Sequence, residues 1–220
     1  MQTNLNVVDN FYPDPDFIRD YVLTQKFTKY PKLNFRSNAG YNGLYFKPGP
    51  QMRKATMDQI AKALRLPIAY DLEGQGHFRI LTEQQEKTKT TSVHVDHVRW
   101  SGVLSLIPPH LPQGETLFWR HKKSQLLGIH DVELLEKAKQ KNPDLTIDQK
   151  ESKNTREWEN VMKVGYNYNR LILFNGNLFH SSAPGFGTKK SNAKLTQVFF
   201  FYEKGQQPKN LGIKWTFSSP

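Results

Sequence analysis

His94, Asp96 and His180 have the side-chain types and spacing to hold a transition metal. The segment Ser92-Val93-His94-Val95-Asp96-His97 interleaves β-branched and polar residues, a pattern that predicts a strand. Alternate side chains on a strand share a face, so His94 and Asp96 point one way while Val93 and Val95 point the other. A third ligand must come from elsewhere in the chain. His180 is well placed for it, after the apolar strand Leu171 to Phe174 and the turn Asn175-Gly176-Asn177. Two imidazoles and one carboxylate leave three adjacent positions open on an octahedral Fe(II), room for a bidentate co-substrate and O2. His97 competes as a ligand, but a regular strand turns it away from His94 and Asp96.

Composition supports a nitrogen-and-oxygen site. The chain contains no cysteine, which excludes a disulfide framework, thiolate zinc, iron–sulfur clusters and a cysteine nucleophile. Its 220 residues fit a single domain, and 37% hydrophobic residues give enough apolar surface for a core. The net charge of +11 suggests nucleic acid until it is divided along the chain. Residues 1–66 and 184–220 each carry +5, whereas 67–119, which hold His94 and Asp96, carry −2. No run of five consecutive basic residues occurs, so the excess reads as a solvated surface. Met1 to Asn10 lack a basic, then apolar, signal-peptide pattern, and no apolar run approaches the ~20 residues of a membrane helix. A soluble, cytoplasmic protein is the expectation.

The elements that must position these residues follow from local patterning. Leu5 to Phe11 reads as a strand. Asp14-Pro15-Asp16 then supplies a cap, a proline in the first turn and an acidic start for a helix to about Lys26, with Phe17, Ile18, Tyr21 and Val22 on one face. Residues 29–51 read as a long ordered loop, and a second helix from Arg53 to Leu64 buries Met57, Ile60, Ala61 and Leu64 before Pro67. Strands are predicted at His77–Thr82, Ser92–His97, Gly102–Ile107, Thr116–Trp119, Arg170–Asn175 and Leu195–Tyr202. Between them, one helix starting at Asp131 ends before Asn142-Pro143. A second, Thr155 to Lys163, presents Trp158, Val161 and Met162. Helices in front and strands behind predict an α+β fold, a curved antiparallel sheet or barrel buttressed by helices.

Several segments in order carry a resemblance. They are His94-Val95-Asp96, Gly114-Glu115-Thr116-Leu117-Phe118, Asn175-Gly176-Asn177-Leu178-Phe179-His180, Lys194-Leu195-Thr196 and the opening Val7 to Pro15. Together the chain resembles the Fe(II)/2-oxoglutarate-dependent oxygenases, in particular small members of prolyl-hydroxylase type. The resemblance implies a double-stranded β-helix, a jelly-roll or cupin-like barrel, over a single domain 1–220. Residues 1–66 would be its helical N-terminal support and 122–169 a helical insertion. It implies Fe(II) on His94, Asp96 and His180, with 2-oxoglutarate and O2 as co-substrates and ascorbate as a stimulant. Hydroxylation is the implied outcome, with succinate and CO2 as co-products. Related halogenases lack the carboxylate ligand, so Asp96 argues against halogenation. In this family a basic residue after the distal histidine holds the far carboxylate of 2-oxoglutarate, and Lys194, 14 residues after His180, matches by position. Thr196 shares its face of the strand and can hydrogen-bond the same carboxylate. Lysine offers a point charge rather than a bidentate fork, so neighbours must help. Lys189, Lys190 and Arg120 are weaker candidates, and His121 is expected to rim the site or end a strand. Tyr41, Tyr45 and Phe46 read as a substrate lid or as packing against the barrel. The primary substrate, whether peptide, nucleic acid or metabolite, is set by residues 29–51 and 122–169, which carry no readable motif.

Two other readings use the same residues differently. His94-x-Asp96-His97 is similar to part of the HxHxDH motif of binuclear zinc hydrolases, but Ser92 stands where that motif needs histidine. A non-enzymatic basic barrel binding nucleic acid or another anion predicts clustered Arg/Lys among exposed aromatics, and the divided charge argues against it. Metal analysis separates all three: iron with 2-oxoglutarate turnover, two zinc ions, or no metal.

Overall fold

Alternation along one strand organises the molecule. In the computed structural model, which describes residues 5–29, 43–86, 93–96, 98–129, 136–137, 140–141 and 155–206, the longest strand is β11 (Lys194–Glu203). Its Leu195, Phe199 and Phe201 enter a core with Val22, Met57 and Ile60 of the two long helices, and with Phe78, Trp100, Leu104, Leu171 and Leu173. The intervening Lys194 and Thr196 therefore face the other way, into the interior of the sandwich.

Among the described residues, eight antiparallel strands form the larger sheet. They are β1 (Leu5–Val8), β2 (Thr28–Lys29), β3 (Leu44–Phe46), β4 (Ile68–Ala69), β5 (His77–Leu81), β6 (Trp100–Ser105), β9 (Leu171–Phe174) and β11. Their order is β1-β9-β6-β11-β5-β3-β2, with β4 pairing the far end of β11. A smaller sheet faces it, with β7 (Glu115–His121) between β10 (His180–Ser182) and β8 (Trp158–Gly165). Ile107, Phe118, Tyr166, Ile172 and Phe174 fill the space between the sheets. Val93, Val95, Leu126, Ile129, Trp158 and Phe179 form a third cluster with Trp119. Nonconsecutive neighbours in both sheets are what a jelly roll requires.

The helices cover the outer face of the larger sheet. In α1 (Pro15–Thr24), the Asp14 carboxylate accepts from Phe17 N at 2.9 Å, and Pro15 occupies the first turn. Its buried stripe is narrower than the expected face: Val22 is fully buried, while Phe17 is 67% exposed and Tyr21 also faces solvent. The helix lies at the rim of the core, so only the side turned to the sheet is covered. In α2 (Pro50–Leu64), Arg53, Thr56, Met57 and Ile60 are buried, with Ala61 and Leu64 half-buried. Arg65 ends it in the left-handed region at φ 55°, ahead of Pro67. A short α3 (Glu83–Glu86) follows β5.

Several expectations change. Residues 155–163 are not a helix: a single 3-10 turn, Thr155–Glu157, leads into β8. That strand pairs with β7 from Trp158↔His121 to Gly165↔Glu115. Its apolar residues fit either period over so short a run, and the open edge of β7 decides for a strand. Trp158 is consequently core, whereas Val161 and Met162 are exposed. The predicted 29–51 loop contains β3 and the start of α2, with residues 30–42 outside the described residues. The helix expected from Asp131 also lies outside them, apart from helical residues 136–137 and 140–141. Around His94 there is one isolated bridge to His180 rather than a full strand, and Ser92 and His97 lie outside the described residues.

Candidate metal and co-substrate site

The bridge brings the two histidines together through their backbones. His94 N donates to His180 O, and His180 N donates to His94 O, both at 2.9 Å. Asp96 N donates to Gly176 O at 2.8 Å, tying the second half of the segment to the turn before β10. The three side chains then converge, each offering a ligand atom within 4.8 Å of the others. His94 Nε2 lies 3.5 Å from Asp96 Oδ1, and His180 Nε2 lies 3.1 Å from Asp96 Oδ2. Side-chain exposure falls from 26% at His94 to 12% at Asp96 and 7% at His180, so the cluster opens on its His94 side.

Neighbouring groups orient these ligands. His180 Nδ1 lies 2.8 Å from Leu178 O. A carbonyl only accepts, so Nδ1 carries the proton and Nε2 is the atom free to bind a metal. Phe174 packs edge-on against that ring at 4.7 Å between centroids. Ser101 Oγ, on β6, donates to Asp96 Oδ2 at 2.6 Å. Gly176 makes this approach possible: a Cβ there would stand 2.7 Å from Ser101 Oγ and 2.8 Å from Val98 O. Burial pushes the Asp96 carboxyl up, but the His180 and His94 side chains outweigh it and hold it well below the usual carboxylate range. An ionised carboxylate with two imidazoles, one of fixed tautomer, is a donor set that fits a divalent first-row metal.

A second polar group lies further along β10. Lys194 is 2% exposed, and its Nζ donates to Ser182 Oγ at 2.6 Å and to Ala183 O. The same ammonium sits 5.3 Å from the centre of the Tyr166 ring. The Tyr166 hydroxyl is 3.0 Å from Thr116 Oγ1 and 3.4 Å from Ser182 Oγ. Burial pushes the Tyr166 phenol up, so it stays a neutral donor. Thr196, also buried, lies on the Lys194 face and pairs with Ser105 and Arg79. His180 and Ser182 are two strand residues apart, about 7 Å, a separation suited to a short dicarboxylate spanning from metal to lysine.

The other candidates fall elsewhere. Arg120 pairs with Glu159 at 3.3 Å on the outer part of the small sheet. Lys190 Nζ donates to Gln25 O at 2.8 Å, and Lys189 is exposed. His121 ends β7 rather than rimming the site; it is buried beside Trp158, with Nδ1 2.8 Å from Ser124 Oγ. Phe46 packs on Phe78, Tyr45 is buried, and Tyr41 lies outside the described residues. Sequence reading missed Ser101, Thr116, Tyr166 and Ser182. Only Ser182 left a signal, since it shares the His180 face at i+2.

Two facing antiparallel sheets, with a His-x-Asp segment bridged to a distal histidine, make this a double-stranded β-helix. HygX from Streptomyces hygroscopicus, solved with iron bound, superposes with a TM-score of 0.50 at 11% identity, over 94% of this chain and 85% of HygX. SnoN, a non-haem α-ketoglutarate-dependent epimerase from nogalamycin biosynthesis, gives 0.50 at 12% identity, over 96% and 83% of the respective chains. At these identities the likeness is one of fold. By sequence, the chain belongs to DUF6445, a family of unknown function, whose profile matches residues 1–193. No curated protein matches it.

Proposed function

We propose that this chain is a non-haem Fe(II)- and 2-oxoglutarate-dependent oxygenase, a single catalytic domain that hydroxylates a primary substrate with succinate and CO2 as co-products. The observation that carries the proposal is the convergence of His94, Asp96 and His180, with the buried Lys194 anchored two residues beyond His180. In this reading the three side chains hold the iron. Iron with 2-oxoglutarate and O2 would supply the oxidising chemistry.

This chain's own residues account for binding and orientation. Lys194 holds the far carboxylate of 2-oxoglutarate, and its burial removes competing water, strengthening the ion pair. Thr196, Ser182 and Tyr166 supply hydroxyls that make up for lysine's lack of a bidentate fork. Leu178 O keeps the His180 proton on Nδ1, and Ser101 holds one Asp96 oxygen so that the other is presented to the metal. Among the described residues no helix is long and apolar enough to cross a membrane.

The test is 2-oxoglutarate turnover with added Fe(II) and ascorbate, screened over peptides, nucleic acids and metabolites. Succinate is expected from the wild type and at background from Asp96→Ala and His180→Ala. Full turnover in both variants would overturn the assignment.

A further inference from the structure

The inner face of the larger sheet carries a second cation. Arg79 lies on β5, opposite Thr196 of β11 on one side and Tyr45 of β3 on the other. Its chain neighbours Phe78 and Ile80 belong to the core beneath the helices. Alternation therefore turns Arg79 toward the interior, on the same side as Lys194 and Thr196. Its charge is felt at the Tyr166 phenol, across the gap, where it opposes the rise caused by burial.

The two cations lean apart. Lys194 reaches toward β10, to Ser182 Oγ and Ala183 O. Arg79 leans toward β3, its guanidinium 6.0 Å from the centre of the Tyr45 ring. Gly43, at φ +105°, lies beside the Arg79 side chain; a Cβ there would clash with Ile80 O at 2.5 Å and stand in ordinary contact, 3.5 Å, with Arg79 Cγ and Nε. The two residues are diagonal neighbours, about 7–8 Å apart, and their side chains diverge, so one anion does not have to span both. A guanidinium over an aromatic face is also preorganised for bidentate recognition of a planar carboxylate or a phosphate.

We propose that Arg79, seated on Tyr45, docks an anionic group, a carboxylate or a phosphate, of the primary substrate. This deepens the oxygenase reading and rests on it.

The test uses the full chain loaded with zinc as a redox-inert metal and saturated with 2-oxoglutarate, so that Lys194 is engaged. Acetate and methylphosphonate are the probes, read by saturation transfer to their methyl signals. The wild type is expected to bind at least one, acetate marking a carboxylate substrate and methylphosphonate a phosphate. Arg79→Gln should weaken that binding by about tenfold or more, the loss of a charge-assisted contact, while Arg79→Lys retains part of it. The 2-oxoglutarate KM of the iron enzyme should stay within about twofold in Arg79→Gln, because Lys194 is intact. Equal binding by wild type and Arg79→Gln, or none by the wild type, overturns the proposal. So does a large rise in the 2-oxoglutarate KM, which assigns Arg79 to the co-substrate. If the wild type consumes no 2-oxoglutarate with iron, the oxygenase reading fails by itself, whatever the probes show.

Discussion

Ser101→Ala isolates how the protein aims its carboxylate ligand. The hydroxyl donates to Asp96 Oδ2 at 2.6 Å, and the residue is 2% exposed, so water cannot replace the bond. A hydrogen bond to a charged acceptor contributes about 1.5–3 kcal/mol net. Without metal, His180 Nε2 lies against the same Oδ2, 3.1 Å away. A bound metal takes that nitrogen and leaves Ser101 as the side-chain donor to Oδ2 among the described residues. The loss should therefore fall more heavily on the loaded state. Metal affinity is expected to drop about 10–100-fold, the usual effect of removing an outer partner of a metal ligand. Alanine deletes one oxygen and little packing, so the metal-free melting temperature should move only a few degrees, at about 2–4 °C per kcal/mol for a domain of this size. Competition against a chromophoric chelator with Co(II) or Zn(II) measures the affinity, and calorimetry of both forms measures stability. An affinity within about twofold of wild type, with both forms destabilised equally, would refute the reasoning and leave Ser101 a packing residue.

Lys194→Ala should raise the KM for 2-oxoglutarate by about 10–100-fold, the equivalent of one charge-assisted contact, while iron affinity changes far less. Steady-state kinetics beside a metal titration checks it, and an unaltered KM would shift the co-substrate anchor to Arg79. Asp9 and Arg170 form a bidentate pair at 2.6 and 2.9 Å that joins the end of β1 to the start of β9. The hydrogen bond to Arg170 holds the Asp9 carboxyl below its usual range, so the pair's contribution is present above about pH 4 and is lost as pH falls through the lowered value. Urea midpoints measured from about pH 5 to about pH 3 should fall less in Asp9→Asn than in wild type.

Much of the candidate site is legible because its signals are local. His94-Val95-Asp96 places two candidate ligands on one face through the two-residue strand period, which holds even though the backbone makes an isolated bridge there. Lys194 and Thr196 obey the same rule on β11, a true strand. Helix starts were also legible, since the Asp14 cap and Pro15 act within a single turn. The helix expected over Thr155 to Lys163 gives way to β8 because its apolar spacing fits two periods, and the available edge of β7 chooses between them. Tyr166 and Ser101 had no readable signal. Each joins the candidate site only through contacts with residues distant in the chain, Ser182 and Thr116 for the tyrosine.

By itself, the sequence determined the chemistry available. With no cysteine, a metal centre must use imidazole and carboxylate, and the residue types at 94, 96, 180 and 194 mark the candidate donors and the candidate cation. Only the folded chain brings His94 and His180 together and separates Lys194 from Arg79. It joined His180 to His94 across a bridge, left His121 in an apolar cluster, and turned Lys194 and Arg79 toward opposite sides of one sheet face. The physical reason is reach. Side-chain periodicity is set by neighbours in the chain, whereas strand pairing and register are set by hydrogen bonds between segments that local sequence does not encode.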